Sequence, residues 1–358
     1  MYLACTRINM RGEHMKKIYI VSWYGMSDAG GVERVTQYMY EAWKNSYEVH
    51  VLDLEAAKEN RIYKILLGKH YVLDSLIMSL YAGKLKRSNK NSILVTQGYN
   101  APFLYADIEY IHGTMRGYKV ALEGENTKWH FNQIFEKIAT HNAKKIVAVS
   151  QHAKAEVHEL YNVENNKIAV IENCVDTSKF ECHRDHISKK INILFAGRLE
   201  HGKGIGRLLK LANEIENEKD MNLLIASPET ENINLFQKLT RTVVYSHLSM
   251  EEMKHFYQKG DLMFFPSLYE GFGMVTLESL SSGVPVLGND VGAIGDLYRR
   301  KMEGVYLLGD ESDDLKLIRQ IAQEFNDVEK RKKLHESVET EYGEQQYYKK
   351  LRDILGEM

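Results

Sequence analysis

Short apolar runs alternate with longer amphipathic stretches along most of the chain. From Lys17 onward, each apolar or β-branched run is followed by a segment whose apolar residues recur at helical spacing. This alternation is typical of parallel strands joined by crossover helices. We predict strands at 18–22, 48–52, 92–96, 108–111, 145–149, 168–171, 191–196, 221–226, 242–245, 262–265, 284–287 and 305–308.

The polar segment 176–190 separates these strands into two groups. It lacks an apolar period, as interdomain linkers often do. We therefore predict an α/β protein with two similar domains, at 15–178 and 191–340. Aromatic and apolar residues at helical spacing predict a final helix within 341–358, for which packing back on the first domain is one option. Because open α/β sheets bind ligands beyond the carboxyl ends of their strands, we expect the chemistry in the cleft between the domains.

Composition narrows the classes of function. The chain has 358 residues, of which 27% are charged, and its formal net charge is −2. That balance gives no overall attraction for nucleic acid, and no apolar run is long enough to cross a bilayer. We expect a cytoplasmic protein, with peripheral attachment to the inner face of the membrane left open. Three cysteines without metal-type spacing argue against a disulfide framework or a zinc site. The polar residues 1–14 are expected to form a disordered extension.

The sharpest motif is EGFGMVTLE, from Glu270 to Glu278, between a predicted strand and a predicted helix. Its glycines, Gly271 and Gly273, let a ligand approach the backbone, and the helix N-terminus offers unpaired N–H groups to a phosphate. The two carboxylates are placed to accept hydrogen bonds from separate hydroxyl-bearing parts of one ligand. The alternative is that Glu278 is an ordinary solvated residue of the helix.

A second motif, FAGRLEHGKG, follows the first strand of the second domain and carries Arg198 and Lys203. An Arg fork and a Lys point charge at a strand-to-helix junction suit a diphosphate without a metal ion. This loop is therefore a candidate for neutralising a leaving group. The alternative is an ordinary basic surface loop.

Two further signals follow strands of the first domain. The pair Gly30-Gly31 permits close approach of a phosphate or a sugar before the next helix. Its spacing differs from GxGxxG, so a nicotinamide cofactor is only a weak alternative. His112, directly after a strand, is placed to hydrogen-bond a sugar hydroxyl or to share developing positive charge. A purely structural histidine is the alternative reading.

Together these motifs resemble family 4 glycosyltransferases, retaining enzymes with two facing Rossmann-like domains known as the GT-B fold. The resemblance covers nearly all of residues 17–358 and is most specific over 260–286, which looks like the E-x7-E region of the family. It implies that Glu270 contacts the donor sugar and Glu278 the ribose, with His112, Arg198, Lys203 and Glu270 at the reacting centre. The donor contacts that it implies are Gly30, Gly31, Arg198, Lys203, Glu270, Gly271, Phe272, Gly273, Met274, Val275 and Glu278.

The chain departs from the family pattern in places that concern the nucleotide base. Ser227-Pro228-Glu229 and the stretch after the strand at 242–245 lack glycines that are frequent in the family. His247 and Leu248 are placed near the base by analogy, and a UDP-sugar is slightly favoured over a GDP-sugar. Asn173 precedes a cysteine where the family often has glycine, and Ser150 fits a weaker family position near the domain junction.

The resemblance implies transfer of a sugar from a nucleotide-diphosphate sugar to a glycan or lipid-linked acceptor, without a metal ion or other cofactor. A role in bacterial surface polysaccharide or glycolipid synthesis follows from the same analogy. Two alternatives stay open: a nucleotide-sugar epimerase of the same fold, and a non-catalytic carbohydrate-binding partner of another transferase.

The stretch 61–90 has an unusual charge pattern. It carries seven Lys or Arg residues against the single acid Asp74, interleaved with leucines and isoleucines. Basic amphipathic helices of this kind can lie on an anionic membrane surface. Alternatively, the apolar residues face the core of the first domain and the cations are solvated. The sequence leaves both readings open.

Overall fold

A computed structural model describes residues 15–27, 30–122, 130–182, 190–228 and 231–357. The predicted extension 1–14 and residues 183–189 of the predicted linker lie outside these ranges. The strands are β1 (Lys17–Val21), β2 (Glu48–Leu52), β3 (Ile93–Gln97), β4 (Ile108–Ile111), β5 (Lys145–Ala148), β6 (Ile168–Val170), β7 (Ile191–Ala196), β8 (Met221–Ser227), β9 (Thr242–Ser246), β10 (Leu262–Phe265), β11 (Val286–Gly288) and β12 (Val305–Leu307). Each predicted strand is confirmed to within two residues at either end.

The helices are α1 (Gly31–Trp43), α2 (Leu54–Ala57), α3 (Arg61–Leu66), α4 (Tyr71–Ser88), α5 (Met115–Ala121), α6 (His130–Asn142), α7 (Gln151–Tyr161), α8 (Ile205–Ile215), α9 (Met250–Gln258), α10 (Met274–Ser281), α11 (Gly292–Arg299), α12 (Asp314–Glu324), α13 (Val328–Tyr342) and α14 (Glu344–Gly356). Of these, none has both the length and the apolar character needed to cross a bilayer.

The strands form two six-stranded parallel sheets, in the orders β2-β1-β3-β4-β5-β6 and β12-β11-β10-β7-β8-β9. The alternating pattern of β1 explains how helices cover both faces of the first sheet. Ile18 and Ile20 pack in one apolar cluster with Val35 and Trp43 of α1. Tyr19 lies in a different cluster, with residues of α4. Successive side chains of a strand point to opposite faces, so both faces of β1 are buried. The predicted α/β architecture is confirmed.

The last helix returns to the first domain. Tyr347 and Leu351 of α14 are buried in the cluster that contains Trp43 of α1. The indole Nε1 of Trp43 also donates a hydrogen bond to the carbonyl oxygen of Leu351, at 3.0 Å. Fully burying a large apolar side chain contributes about 1.5–3 kcal/mol, so this contact ties the end of the chain to the first sheet.

The carboxyl ends of the two sheets face each other. His112 follows β4 in the first domain, whereas Arg198 follows β7 and Glu270 lies beyond β10 in the second. Hydrogen bonds join the domains here: Ser150 Oγ donates to the carbonyl oxygen of Gly271 at 2.6 Å. The backbone N–H of Gln151, the first residue of α7, donates to Asp296 Oδ2 of α11 at 2.7 Å. The fold therefore gathers strand ends from both sheets around one cleft.

Candidate active site

A cavity of about 580 Å³ lies between the two domains. This volume is ordinary for a pocket that binds a small molecule. Aromatic and polar side chains from both domains line it, among them Trp23, Tyr99, His112, Tyr118, Arg198 and Tyr269. Aromatic faces next to hydrogen-bonding groups suit a ligand with both apolar and hydroxyl-bearing surfaces.

The structure brings two of the predicted residues, Lys203 and Glu270, into direct contact. Lys203 ends a short 3₁₀ turn after β7, and its Nζ lies 2.5 Å from Glu270 Oε1. Both side chains are mostly shielded from solvent. Because the pair lies in a partly desolvated site, each charge interacts more strongly with a charged ligand than it would in water. The pair thus places a lysine ammonium next to a carboxylate that can accept a hydrogen bond from a hydroxyl group.

Arg198 lies apart from this pair. Its side chain is 62% exposed and forms an ion pair with Glu200, with Nη2 and Oε1 2.9 Å apart. Both residues line the interdomain cavity. Arg198 therefore lies at the cavity with a more exposed side chain than Lys203, and each of the two cations is paired with a carboxylate.

Glu278 is only 3% exposed, so it is not a solvated helix residue. Its Oε1 lies 2.5 Å from Nη1 of Arg34, which belongs to α1 of the opposite domain. The hydroxyl of the buried Tyr257 donates to Oε2 at 2.8 Å. A buried carboxylate needs such partners, because burying an unpaired charge is costly. Arg34 joins the candidate site although no local sequence pattern singles it out.

The glycines of the site have different reasons for being glycine. A Cβ added to Gly271 would lie 1.6 Å from the carbonyl oxygen of His112, so this position lets the two domains touch. Gly273 precedes α10 in a left-handed conformation, with φ of +86°, which glycine adopts without strain. Gly30 is extended before α1, and a Cβ on Gly31 would make an ordinary contact with Met274.

The residues whose backbone is predicted to contact the donor lie in and directly after the glycine loop of the second domain. Phe272 and Met274 are buried, and Val275 is half-buried in the first turn of α10. The carbonyl oxygen of Phe272 accepts a hydrogen bond from the N–H of Ala293, at 2.8 Å. The glycine loop is therefore anchored on both sides, by α11 and by the first domain.

His112 is half-buried at the cavity wall, where its Nε2 lies 2.5 Å from Oε1 of Gln97. Burial lowers the pKa of its imidazole to about 4, because the charged form is poorly solvated there. The ring is therefore neutral near pH 7. A neutral imidazole can exchange hydrogen bonds with a hydroxyl, whereas sharing positive charge would need a proton that this environment disfavours.

The residues placed near the nucleotide base lie at the carboxyl end of β9. His247 is exposed and has a positive φ of 52°, a conformation that favours glycine. His247 therefore occupies a position typical of glycine, at the cost of some backbone strain. Leu248 is partly buried against the core of the second domain. Near the domain junction, Asn173 is buried, and Ser150 caps α7 as well as bonding Gly271.

Two further cavity residues, Tyr269 and Glu136, were also missed from sequence. The hydroxyl of Tyr269 accepts a hydrogen bond from the N–H of Thr114 at 2.5 Å and lies 2.8 Å from Oε2 of Glu156. Burial raises the pKa of Glu136 to about 7, although the N–H of Met115 donates to its carboxylate at 2.7 Å. The sequence does contain one hint of a buried polar site: Asn132, Glu136 and Thr140 are spaced four residues apart and lie on the buried face of α6.

Comparisons with known proteins match both halves of the chain. A model described as Glycosyltransferase Family 4 matches residues 29–179, and one described as Glycosyl transferases group 1 matches residues 179–340. The O-antigen chain mannosyltransferase RfbU of Salmonella typhimurium is 29% identical over 162 residues, or 43% of this chain and 44% of that protein. The matches span about half the length of several curated relatives.

Two solved structures share the fold. Sucrose-phosphate synthase from Thermosynechococcus elongatus has a TM-score of 0.74 at 16% identity, covering 96% of this chain and 98% of that one. The Anabaena protein HepE in complex with UDP and glucose has a TM-score of 0.70 at 14% identity, covering 96% and 100%. At such identities the likeness concerns the arrangement of the two domains.

Proposed function

This chain belongs to glycosyltransferase family 4 and has the GT-B fold, and we propose that it transfers a sugar from a nucleotide-diphosphate sugar to a glycan or lipid-linked acceptor with retention of configuration. The observation that carries the proposal is the Lys203–Glu270 pair, set beside the glycine loop at the interdomain cleft. One ligand that bears both a diphosphate and sugar hydroxyls matches this cation and this carboxylate.

In the proposed reaction, the acceptor hydroxyl attacks the anomeric carbon from the face that the diphosphate leaves. The bond from the anomeric carbon to the phosphate oxygen breaks, and the departing phosphate takes the proton of the hydroxyl. Lys203, Arg198 and the N-terminus of α10 stabilise the negative charge that develops on the phosphate. Preorganised charge of this kind often supplies the largest part of the rate enhancement. Glu270 accepts a hydrogen bond from a hydroxyl of the donor sugar.

We propose that these cations neutralise the diphosphate without a metal ion. The Arg guanidinium can bind phosphate oxygens with two parallel hydrogen bonds, and the Lys ammonium adds a point charge. Glu278 is proposed to accept hydrogen bonds from the ribose, on the lone pairs that Arg34 and Tyr257 leave available.

The donor is proposed to be a UDP-sugar. Support comes from the similarity to HepE, whose structure contains UDP and glucose. The similarity to an O-antigen chain mannosyltransferase supports a role in the synthesis of a surface polysaccharide. A thermal-shift screen with UDP-, GDP- and ADP-sugars tests the nucleotide, because a ligand that binds only the folded state raises its apparent stability.

The charge assignment has a direct test. We expect Lys203→Ala and Arg198→Ala each to lower turnover by about 100-fold, as is typical when one preorganised charge donor is removed. Turnover is measured as release of nucleoside diphosphate, and circular dichroism checks the fold. Lys210→Ala removes an exposed lysine of α8 in the same domain and should leave turnover unchanged. Normal turnover in Lys203→Ala would refute the assignment.

Product analysis with the donor alone separates the proposed activity from its main rival. A transferase should release free sugar slowly by hydrolysis, whereas an isomerised nucleotide sugar would identify an epimerase of the same fold. Binding of donor without either product, in the presence of a broad set of acceptors, would instead favour a non-catalytic partner.

A further inference from the structure

The interdomain cavity belongs mainly to the first domain. Of the described residues that line it, all but Arg198, Glu200 and Tyr269 come from that domain. Lys203 and Glu270, which are proposed to hold the donor, lie outside this lining. The cavity therefore offers room for a second molecule on the first-domain side of the cleft.

Glu136 is a buried carboxyl group in the wall of this cavity. It is only 3% exposed, and its Oε2 accepts hydrogen bonds from the N–H of Met115, at 2.7 Å, and from the hydroxyl of Tyr161. Among the described residues, no hydrogen-bond donor contacts its other oxygen, Oε1, and no cation pairs with the group. Buried polar groups are ordinarily paired, because leaving them unpaired is costly. Oε1 is therefore placed to bind a ligand that donates a hydrogen bond.

The charges that line the cavity are mainly negative. Three carboxylates, of Glu33, Glu136 and Glu200, face one arginine, Arg198, among the described lining residues. Arg198 is already paired with Glu200, and His112 is neutral near pH 7. Glu33 and Glu136 are thus left without a cation in this lining. A phosphate or a carboxylate on the ligand would be repelled here, whereas a cation would be attracted.

Aromatic rings form much of the remaining wall. Trp23 and Tyr99 pack edge to face, with ring centroids 5.5 Å apart, and Tyr118 and Tyr269 do so at 5.6 Å. The faces of tryptophan and tyrosine rings attract cations, and their apolar surface can cover the C–H groups of a sugar ring. The wall therefore suits a ligand that combines a positive charge with a sugar ring.

A short stretch of backbone connects Glu136 to the glycine loop. A Cβ on Gly113 would lie 3.0 Å from the Cα of Gly271, so the two loops touch at this point. Met115, two residues further on, donates its N–H to Glu136. Since consecutive Cα atoms are about 3.8 Å apart, only two residue lengths separate Glu136 from the loop proposed to hold the donor. A sugar bound at Glu136 can thus present a hydroxyl to the donor sugar.

We propose that the acceptor is a sugar with a free amino group, and that Glu136 binds its ammonium while Glu33 adds a second negative charge. This inference rests on the proposed function and deepens it by naming the chemical class of the acceptor. The ammonium donates a hydrogen bond to Oε1 of Glu136, and hydrogen bonds between charged groups are the stronger ones. The aromatic wall covers the sugar ring, so that a neighbouring hydroxyl faces the donor.

Titration of the full chain with free sugars tests this assignment. Binding is followed by tryptophan fluorescence, because Trp23 lines the cavity. We expect glucosamine to bind about tenfold or more tightly than glucose or N-acetylglucosamine, since a hydrogen bond to a charged group contributes about that factor. Glucuronic acid, which has a carboxylate instead of an amine, should bind more weakly than glucose.

Glu136→Gln keeps the size of the side chain and removes its charge. It should lower the affinity for glucosamine by about tenfold and leave the affinity for glucose within about twofold of the wild type. Glu136→Asp, which keeps the charge, should retain part of the preference for the amine. Glu329→Gln removes an exposed carboxylate of α13 in the second domain and should bind all four sugars as the wild type does.

Equal binding of glucosamine and glucose by the wild type, or an unchanged preference in Glu136→Gln, would overturn the inference. Slow hydrolysis of the donor by the wild type, which needs no acceptor, is measured in parallel. Hydrolysis without a preference for the amine would refute the class of acceptor alone. A preference for the amine without hydrolysis would instead count against the proposed transferase and leave the amine site in place.

Discussion

The ion pair between Arg34 and Glu278 shows how one side chain can depend on a residue of the other domain. The two partners are 244 positions apart in sequence, and both are nearly closed off from solvent. Tyr257 occupies the second carboxylate oxygen. The residue proposed to bind ribose is therefore held in place by a cation of α1 and by a phenol of α9.

Replacing Arg34 by Met should leave Glu278 buried without its counter-charge. We expect the free energy of unfolding to fall by about 3 kcal/mol, since breaking a buried pair leaves an uncompensated charge. Urea denaturation measures the loss. Adding Glu278→Gln to Arg34→Met should recover much of the stability but not the affinity for nucleotide. A single variant as stable as the wild type would contradict this account of the pair.

Glu136 is a buried carboxyl whose protonation should control stability. Burial raises its pKa to about 7 in the folded protein, whereas a glutamate in the unfolded chain has a pKa of about 4.3. The folded state therefore binds this proton more tightly. The resulting stabilisation is complete below a pH of about 4.3 and is lost as the pH rises through about 7.

Glu136→Gln should remove this dependence while keeping an acceptor for the N–H of Met115. The free energy of unfolding of the variant relative to the wild type should rise by about 3 kcal/mol between a pH of about 4.5 and about 8. Urea denaturation at both pH values measures the difference. Glu329→Gln, at an exposed position, serves as the control. A difference that does not change with pH would count against a buried, proton-binding Glu136.

Local sequence predicted some of the candidate site and missed the rest for a physical reason. Lys203 and Glu270 stand out because charged residues and glycines follow strand ends, where ligands bind. Tyr269 and Arg34 lie in no such pattern, because their partners are 155 and 244 positions away. Such contacts depend on how the two domains face each other, and the spacing of residues within one short segment carries no information about that.

At the scale of elements, strands were predictable because burial on both faces leaves short apolar runs, as in the first three residues of β3 and in the whole of β10. For α3 and α4, the sequence did not predict which apolar side chains face the core and which face solvent. Apolar residues of α3 point outward, whereas Ile77 and Met78 of α4 point inward. Composition is similar in both helices, so only the packing of α4 against the first sheet distinguishes them.

The glycine loop before α10 gives a prediction at this scale. A Cβ in Gly271→Ala would collide with the backbone of His112 and push the domains apart. We expect turnover to fall by about 100-fold, because a displacement of about 1 Å can misalign reacting groups by that factor. The control is Gly206→Ala at the start of α8, where a Cβ meets open space. It should raise the free energy of unfolding by about 0.5 kcal/mol without loss of turnover.

For the whole molecule, hydrogen bonds and ion pairs from several elements join the two domains across the cleft. Ser150 bonds the glycine loop, Asp296 accepts a hydrogen bond from the first N–H of α7, and Arg300 of the second domain pairs with Glu172. Interfaces between domains of one chain commonly permit relative motion. Opening and closing of the cleft should therefore accompany binding of the donor, and contacts that favour closure should affect the apparent affinity for it.

Tyr269 offers the cleanest test of that coupling. Its ring packs edge-on against Tyr118, with centroids 5.6 Å apart, and its hydroxyl bonds Thr114 and Glu156 of the first domain. Tyr269→Phe keeps the ring and removes only the hydroxyl. A hydrogen bond to a charged group contributes about 1.5–3 kcal/mol, so we expect kcat/KM for the donor to fall by about tenfold or more.

Small-angle scattering of Tyr269→Phe without donor should show a larger radius of gyration than the wild type, and saturating donor should restore the closed value. Tyr298→Phe, at an exposed position on α11, should change neither quantity. If kcat/KM fell while the radius of gyration stayed at the closed value, the hydroxyl would act on the reacting groups themselves. Closure would then be set by other contacts that cross the cleft, such as the Arg34–Glu278 pair and the bond from Ser150 to the glycine loop.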